Sequence, residues 1–132
     1  MGAGAVFGTV RLEIPIREKR PQMRLPNASE AWIPRAKLEE YLLDRDHPTG
    51  GAKARFFAQL GYARENREAL EQALLAHARR DAVERELATR HGTKYVLGGY
   101  LEGIRRDRRK VRTIWILEPD TPGPRLVTAY PA

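Results

Sequence analysis

Four residue types in this chain are suited to handling a phosphate without a metal: histidine, lysine, arginine and hydroxyl side chains. They concentrate first in His47-Pro48-Thr49-Gly50-Gly51-Ala52-Lys53-Ala54-Arg55-Phe56-Phe57. His-Pro-Thr-Gly-Gly reads as a loop, because proline lacks a backbone donor and glycines accept unusual backbone angles. From Ala52 onward the residues favour helix. A helix N-terminus carries partial positive charge and prefers acids, yet no acid lies between His47 and Gly61. Backbone N–H groups, Lys53, Arg55 and His47 would together suit an anion, with phosphate the obvious choice. The plainer alternative is a solvated loop whose cations point into water, since Gly-Gly-x-Lys is much less specific than a full phosphate-binding loop.

Further candidates lie later in the chain. Arg112 falls inside an apolar strand pattern, in parity with Ile114 and Ile116, so it needs an acid or a bound anion as partner. Thr113 is its neighbour on the opposite face. Thr128 and Tyr130 share one parity and would present two hydroxyls; their bland reading is ordinary β propensity. In metal-free phosphodiester cleavage a base takes the 2′-hydroxyl proton, while cations and hydroxyl donors stabilise the pentacoordinate phosphate. The segment Arg105-Arg106-Asp107-Arg108-Arg109-Lys110 holds five basic residues and one acid in six positions. At a hairpin tip Arg105, Arg106, Arg108, Arg109 and Lys110 would meet a phosphate backbone, or merely guard the sheet edge against aggregation. Trp115, Tyr95 and Tyr100 could stack on bases, although tryptophan in a central strand is more often core.

Other chemistries fit poorly. His47, His77 and His91 have no ligand-like spacing and no His-Glu-x-x-His occurs, so no metal or other cofactor is expected. Ser29 is the only serine, and cysteine is absent, which excludes disulfides and thiolate chemistry and fits a reducing cytoplasm. With 24 Lys+Arg against 17 Asp+Glu the net charge is +7, which favours a polyanionic partner such as nucleic acid. No apolar run approaches the ~20 residues of a membrane span, and the N-terminus lacks the pattern of a signal peptide.

The elements that must position these groups follow from periodicity. The 132 residues suffice for one domain with a real core. Residues 1–22 read as an extension: Val10, Leu12, Ile14 and Ile16 alternate with polar residues as an edge strand, with Pro15 inside it, and Arg17-Glu18-Lys19-Arg20-Pro21 is a charged linker. Met23 is then a natural start for a domain over 23–132. Pro34 with Leu38, Tyr41 and Leu42 predicts a first helix at about 34–43 with all three apolar side chains on one face, and a second follows at about 52–60, ended by Gly61. Leu70, Ala73, Leu74, His77 and Ala78 form the stripe of a third, with Asn66 as N-cap. His77 on that stripe reads by itself as a core histidine satisfied by a neighbour. Period-two segments then predict strands at Ala82–Arg90, Thr93–Leu101, Val111–Glu118 and Arg125–Tyr130, with a basic turn over Gly103–Lys110. Three helices before a four-stranded antiparallel meander make an α+β fold. Val111, Trp115 and Leu117 fall on one sheet face and Ile114 and Ile116 on the other. The second face therefore calls for cover, from the N-terminal strand or from a second copy of the chain in a homodimer.

Taken together, Leu25-Pro26-Asn27-Ala28, Ile33-Pro34-x-x-Lys37-Leu38-x-x-Tyr41-Leu42-Leu43, His47-Pro48-x-Gly50-Gly51-x-Lys53-Ala54-x-Phe56-Phe57, Gly92-Thr93-x-Tyr95, Arg112-Thr113-x-Trp115 and Val127-Thr128-Ala129-Tyr130-Pro131 resemble a small bacterial domain of unknown function. That domain occurs alone and at the C-termini of polymorphic toxins, and the resemblance covers about residues 23–131. It is similar to the barnase/EndoU/colicin/RelE-like superfamily of metal-independent ribonucleases, in which N-terminal helices precede a four-stranded sheet that carries the active site. The resemblance implies an endoribonuclease with His47, Lys53, His77, Arg112, Thr113, Thr128 and Tyr130 as site residues, RNA as substrate and an immunity or antitoxin protein as partner. The alternative is a non-catalytic module that binds protein or nucleic acid through the basic turn or the apolar sheet face. A third outcome is a ribonuclease fold kept as scaffold, its cleft filled by the N-terminal strand.

Overall fold

The computed structural model describes residues 23–47 and 51–132, so the expected strand over Val10–Ile16 lies outside the described residues. Helices precede strands, as the periodicity requires. After a 3-10 turn at Ala28–Glu30, helix α1 (Arg35–Lys37) runs directly into a π-helical turn at Leu38–Leu42. Helix α2 spans Gly51–Gln59, a 3-10 turn follows at Arg64–Asn66, and α3 spans Arg67–Arg80. Strands β1 (Val83–Thr89), β2 (Gly92–Glu102), β3 (Arg108–Leu117) and β4 (Arg125–Pro131) complete the chain. They form one antiparallel sheet in sequence order, β1-β2-β3-β4, which makes the domain α+β.

The chain breaks α2 from α3 with a glycine. Gly61 has φ 92, and its N–H bonds Ala58 O at 3.0 Å while Tyr62 N–H bonds Phe57 O at 2.9 Å. This paired closure satisfies carbonyls that would otherwise be orphaned at the helix end. Asn66 sits at the N-cap position of α3, but its side chain makes no cap bond there. Its Oδ1 instead accepts from Ala63 N–H at 2.7 Å and its Nδ2 donates to Gly61 O at 2.9 Å, closing the link between the helices.

One sheet face and the helices share the core. Leu97 and Leu101 of β2, Val111 and Trp115 of β3, and Leu126 and Ala129 of β4 pack with Leu38, Leu42, Phe57, Leu60, Leu70, Leu74 and Ala78. A buried side chain of this size stabilises the fold by roughly 1.5–3 kcal/mol. Trp115 is fully buried and Tyr95 nearly so, which removes both from any base-stacking role and leaves Tyr100, at 49% exposure. On the other sheet face Val96, Arg112, Ile114 and Tyr130 are only half-buried and Leu87 is exposed. The β3–β4 pairing carries a register shift between Ile114 and Trp115: Ile114 faces Thr128, whereas Trp115 faces Leu126, leaving Val127 as the extra residue. Such a bulge lets Leu126 and Ala129 both face the core while Thr128 and Tyr130 face the open side.

The basic turn is narrower than the sequence suggested. Gly103 N–H donates to Asp107 O at 2.7 Å, and β3 already begins at Arg108. Arg108, Arg109 and Lys110 are therefore exposed strand residues, and only Arg105 and Arg106 occupy the tip.

Candidate functional site

The predicted residues separate into three places. The first is the outer edge of the sheet, where α2 packs against both the π-helical turn and β4. Asp44 Oδ1 accepts from Asp46 N–H at 3.0 Å, which tightens the turn after the π-helical segment, and His47 N–H donates to Asp44 O at 3.2 Å. That turn sets the His47 ring edge-on to Tyr41, with ring centroids 5.1 Å apart and planes at 87°. The Gly51 N–H at the start of α2 donates to His47 O at 2.9 Å, which further holds the histidine backbone.

Lys53 lies three and four residues before the buried Phe56 and Phe57 on α2 and is half-buried. Its Nζ sits 5.1 Å from the centroid of the Tyr41 ring, and Lys37 Nζ sits 4.9 Å from the same ring. Lys37 and Tyr41 are four residues apart on one helical face. Hydrogen bonding to Lys53 holds the Tyr41 phenol below its ordinary pKa; burial opposes this, and nearby Thr128 together with the charges of Lys53 and Lys37 adds to it. The Thr128 Oγ1 is nonetheless buried without a hydrogen-bond partner, so its approach to the phenol is a near contact and not a formed bond. A buried unpaired hydroxyl costs free energy.

Tyr41 is the residue that the sequence reading missed. Its spacing from Leu38 places it on the apolar stripe. The π-helical turn, closed by Leu43 N–H to Leu38 O at 3.0 Å, widens the helix there. Leu38, Leu42 and Leu43 turn into the core and Tyr41 is left half-buried beside the lysines. The lysine four residues before a tyrosine was the one signal available.

The second place is the open sheet face. Arg112 lies opposite Tyr130 across the β3–β4 ladder, and Ile114 lies opposite Thr128. Thr128 and Tyr130 are two residues apart, about 7 Å along the strand. Arg112 has found an acid: its Nε donates to Glu84 Oε1 at 2.9 Å. The carboxylate passes over Gly98, where an added Cβ would stand 2.0 Å from Glu84 Oε2.

The third place is the core. His77 is fully buried. Its Nδ1 meets Asp81 Oδ2 at 2.8 Å and its Nε2 meets Thr113 Oγ1 at 2.7 Å. Trp115 Nε1–H donates to the same Thr113 oxygen at 2.8 Å. The pattern is satisfied when Nδ1 carries the proton toward Asp81 and the Thr113 hydroxyl donates to Nε2. Burial pushes the His77 pKa down, against the pull of Asp81, so the neutral ring is favoured. Burial pushes the Asp81 carboxyl up, but hydrogen bonds from Arg80 and His77 outweigh it and leave it below its ordinary value. Gly99 completes this arrangement on the inner face, since a Cβ there would stand 2.2 Å from Asp81 Oδ2. His77 and Thr113 are thus members of a closed buried chain, on the opposite side of the sheet from Arg112 and Tyr130.

Arg105, Arg106, Arg108, Arg109 and Lys110 are all exposed, and the Arg108 guanidinium lies 5.3 Å from the Tyr100 ring centroid. Among the described residues no three potential ligands from His, Asp and Glu gather at a metal-sized site. Nor, among them, is any helix long and apolar enough to cross a membrane.

Residues 24–132 match the family described as a domain of unknown function, DUF6883. The chain belongs to that family. A DUF6883 domain therefore accounts for everything from Arg24 onward. One chain of a contact-dependent growth inhibition toxin–immunity protein complex from Klebsiella pneumoniae 342 has a similar fold, with a TM-score of 0.62 and 12% identity over 80% of this chain and 96% of that one. At that identity the likeness shows the fold alone. No curated protein matches the sequence.

Proposed function

We propose that this DUF6883 chain is a toxin-type endoribonuclease of the barnase/EndoU/colicin/RelE-like kind, cleaving RNA without a metal. The observation that carries the reading is the convergence of His47, Lys53 and Thr128, from a loop, a helix and a strand, around one tyrosine flanked by two lysines. His47 takes the proton of the attacking 2′-hydroxyl. Lys53 and Lys37 stabilise the phosphate as charge builds on it, and Thr128, its hydroxyl buried beside the Tyr41 phenol, helps to position that ring. Arg112 and Tyr130, on the adjoining open face, hold the neighbouring nucleotide. The exposed basic residues Arg105, Arg106, Arg108, Arg109 and Lys110 add sequence-independent attraction for the RNA backbone. An immunity protein that covers this edge is the expected partner. The fold likeness supports the reading at the level of architecture, and the site residues must carry the chemistry.

The test is incubation of the full chain with total RNA in EDTA, with a His47→Ala, Lys53→Ala double variant as control. Defined products from the wild type alone support the assignment. Intact RNA with folded protein rejects it. A second reading, a binding module, is favoured by Arg112 being already paired with Glu84 and by the exposure of Ile104 and Tyr100 beside the basic hairpin. It predicts that reversing the charge of Arg105 and Arg106 abolishes binding to RNA or partner protein, whereas the double variant at His47 and Lys53 binds normally.

A further inference from the structure

Cleavage of a phosphodiester needs two proton transfers, one from the attacking hydroxyl and one to the leaving oxygen. The sequence offered two histidines for this pair, and the structure withdraws one: His77 lies in the core with both ring nitrogens engaged. Close to His47, the side chain placed to fill the vacant role is Tyr41. Its ring lies against the His47 ring at 5.1 Å between centroids, within the span of one phosphodiester group. Its phenol faces Lys53 and Thr128, on the side where the site is cationic, and Lys37 stands over the ring as well.

We infer that Tyr41 is the general acid of this site, donating its phenolic proton to the leaving 5′-oxygen while His47 acts as base. The inference rests on the endoribonuclease reading and adds a residue to it. In the step, neutral His47 accepts the 2′-hydroxyl proton and the 2′-oxygen forms a new bond to phosphorus. The bond from phosphorus to the 5′-oxygen breaks, its electron pair stays on that oxygen, and the Tyr41 proton moves there. The products are a 2′,3′-cyclic phosphate and a free 5′-hydroxyl. The phenolate left on Tyr41 is stabilised by the Lys53 and Lys37 ammonium groups, and protons exchanged with water restore both residues. The step begins with the proton on the Tyr41 phenol and the acceptor nitrogen of His47 unprotonated. The lysines that favour the phenolate are what make a phenol a competent acid here.

A leaving group that needs no proton separates this role from a merely structural one. Once the wild type has marked its cleavage position on an RNA, the same RNA is made with sulfur replacing the 5′-oxygen at that bond. Tyr41→Phe is expected to cut the ordinary RNA about 100-fold or more slowly, and the sulfur-substituted RNA within about tenfold of wild type. His47→Ala is expected to be impaired on both substrates, because the attacking hydroxyl still needs a base. Near-UV circular dichroism of each variant confirms the fold. Equal loss on the two substrates, or no loss on either, overturns the Tyr41 assignment and leaves the ribonuclease reading intact. A folded wild type that cleaves neither RNA overturns both.

Discussion

His47 and His77 are thirty residues apart in sequence and differ in almost every physical respect. His77 is locked in a hydrogen-bonded chain running from buried Trp115 through Thr113 to Asp81 and, at its exposed end, Arg80, with both ring nitrogens engaged. His47 lies half-buried against the Tyr41 ring, which two lysines also approach. Satisfied burial stabilises a structure but leaves nothing for a substrate to bind. Partial exposure and gathered cations do the reverse. The comparison separates residues that hold this domain together from those suited to chemistry, although both sets come from the same residue types.

The sharpest break in that contrast is activity. His47→Ala should slow RNA cleavage by about 10²–10⁴-fold, the usual size of a lost acid–base group. Its denaturation midpoint should barely move, so a large loss of stability would place His47 with His77. Next in size, His77→Ala should destabilise the fold by roughly 2–4 kcal/mol, since it opens a cavity and strands Asp81 and Thr113. Chemical denaturation with an unchanged m-value reads this, and a shift below about 1 kcal/mol would show that the buried chain matters little. Gly99→Ala should cost about 1–3 kcal/mol by forcing a Cβ into the Asp81 carboxylate, a direct test of whether the chain is as tight as its geometry.

Protonation sharpens the comparison further. The folded-state pKa of His77 is depressed, so the unfolded chain takes up the proton first. Its contribution to stability is fully present above the unfolded value near 6.5 and is lost as pH falls through the lower folded value. Asp81, also depressed, acts with the same sign in a more acidic window. Thermal unfolding from pH 8 to pH 5 should therefore show a fall that His77→Gln removes, and an identical fall in the variant would assign it elsewhere. The smallest effect belongs to the open face. Glu84→Gln should change stability by less than about 1 kcal/mol, because its pair with Arg112 is exposed. If Arg112 serves the RNA, the same change should tighten KM with little change in kcat; an unchanged KM would confine Arg112 to the sheet.

Much of the architecture was legible from local pattern. The stripe at Leu70, Leu74 and Ala78, the alternation through Val111 and Trp115 and the glycine at Gly61 each report a physical requirement that acts within a few residues, so helices, strands and the meander follow from them. Glycines 98 and 99 were silent in the sequence, because their need arises from Glu84 and Asp81 arriving on opposite faces of one strand. The sequence also named His47, Lys53 and Thr128 without showing that they meet, since they converge only when α2 packs at the β4 edge. It put His77 on an apolar stripe and His47 in a loop, and only the family resemblance kept both as site residues; burial itself depends on which neighbours arrive from elsewhere in the chain. Tyr41 was hidden for a more local reason: the period of a regular helix put it in the core, and a π-helical turn rotated it out. The order and polarity of the elements are encoded in short-range periodicity and could be read from the residues alone. Which titratable side chains are sealed in the core and which stand half-buried at the sheet edge follows instead from packing between residues distant in the chain.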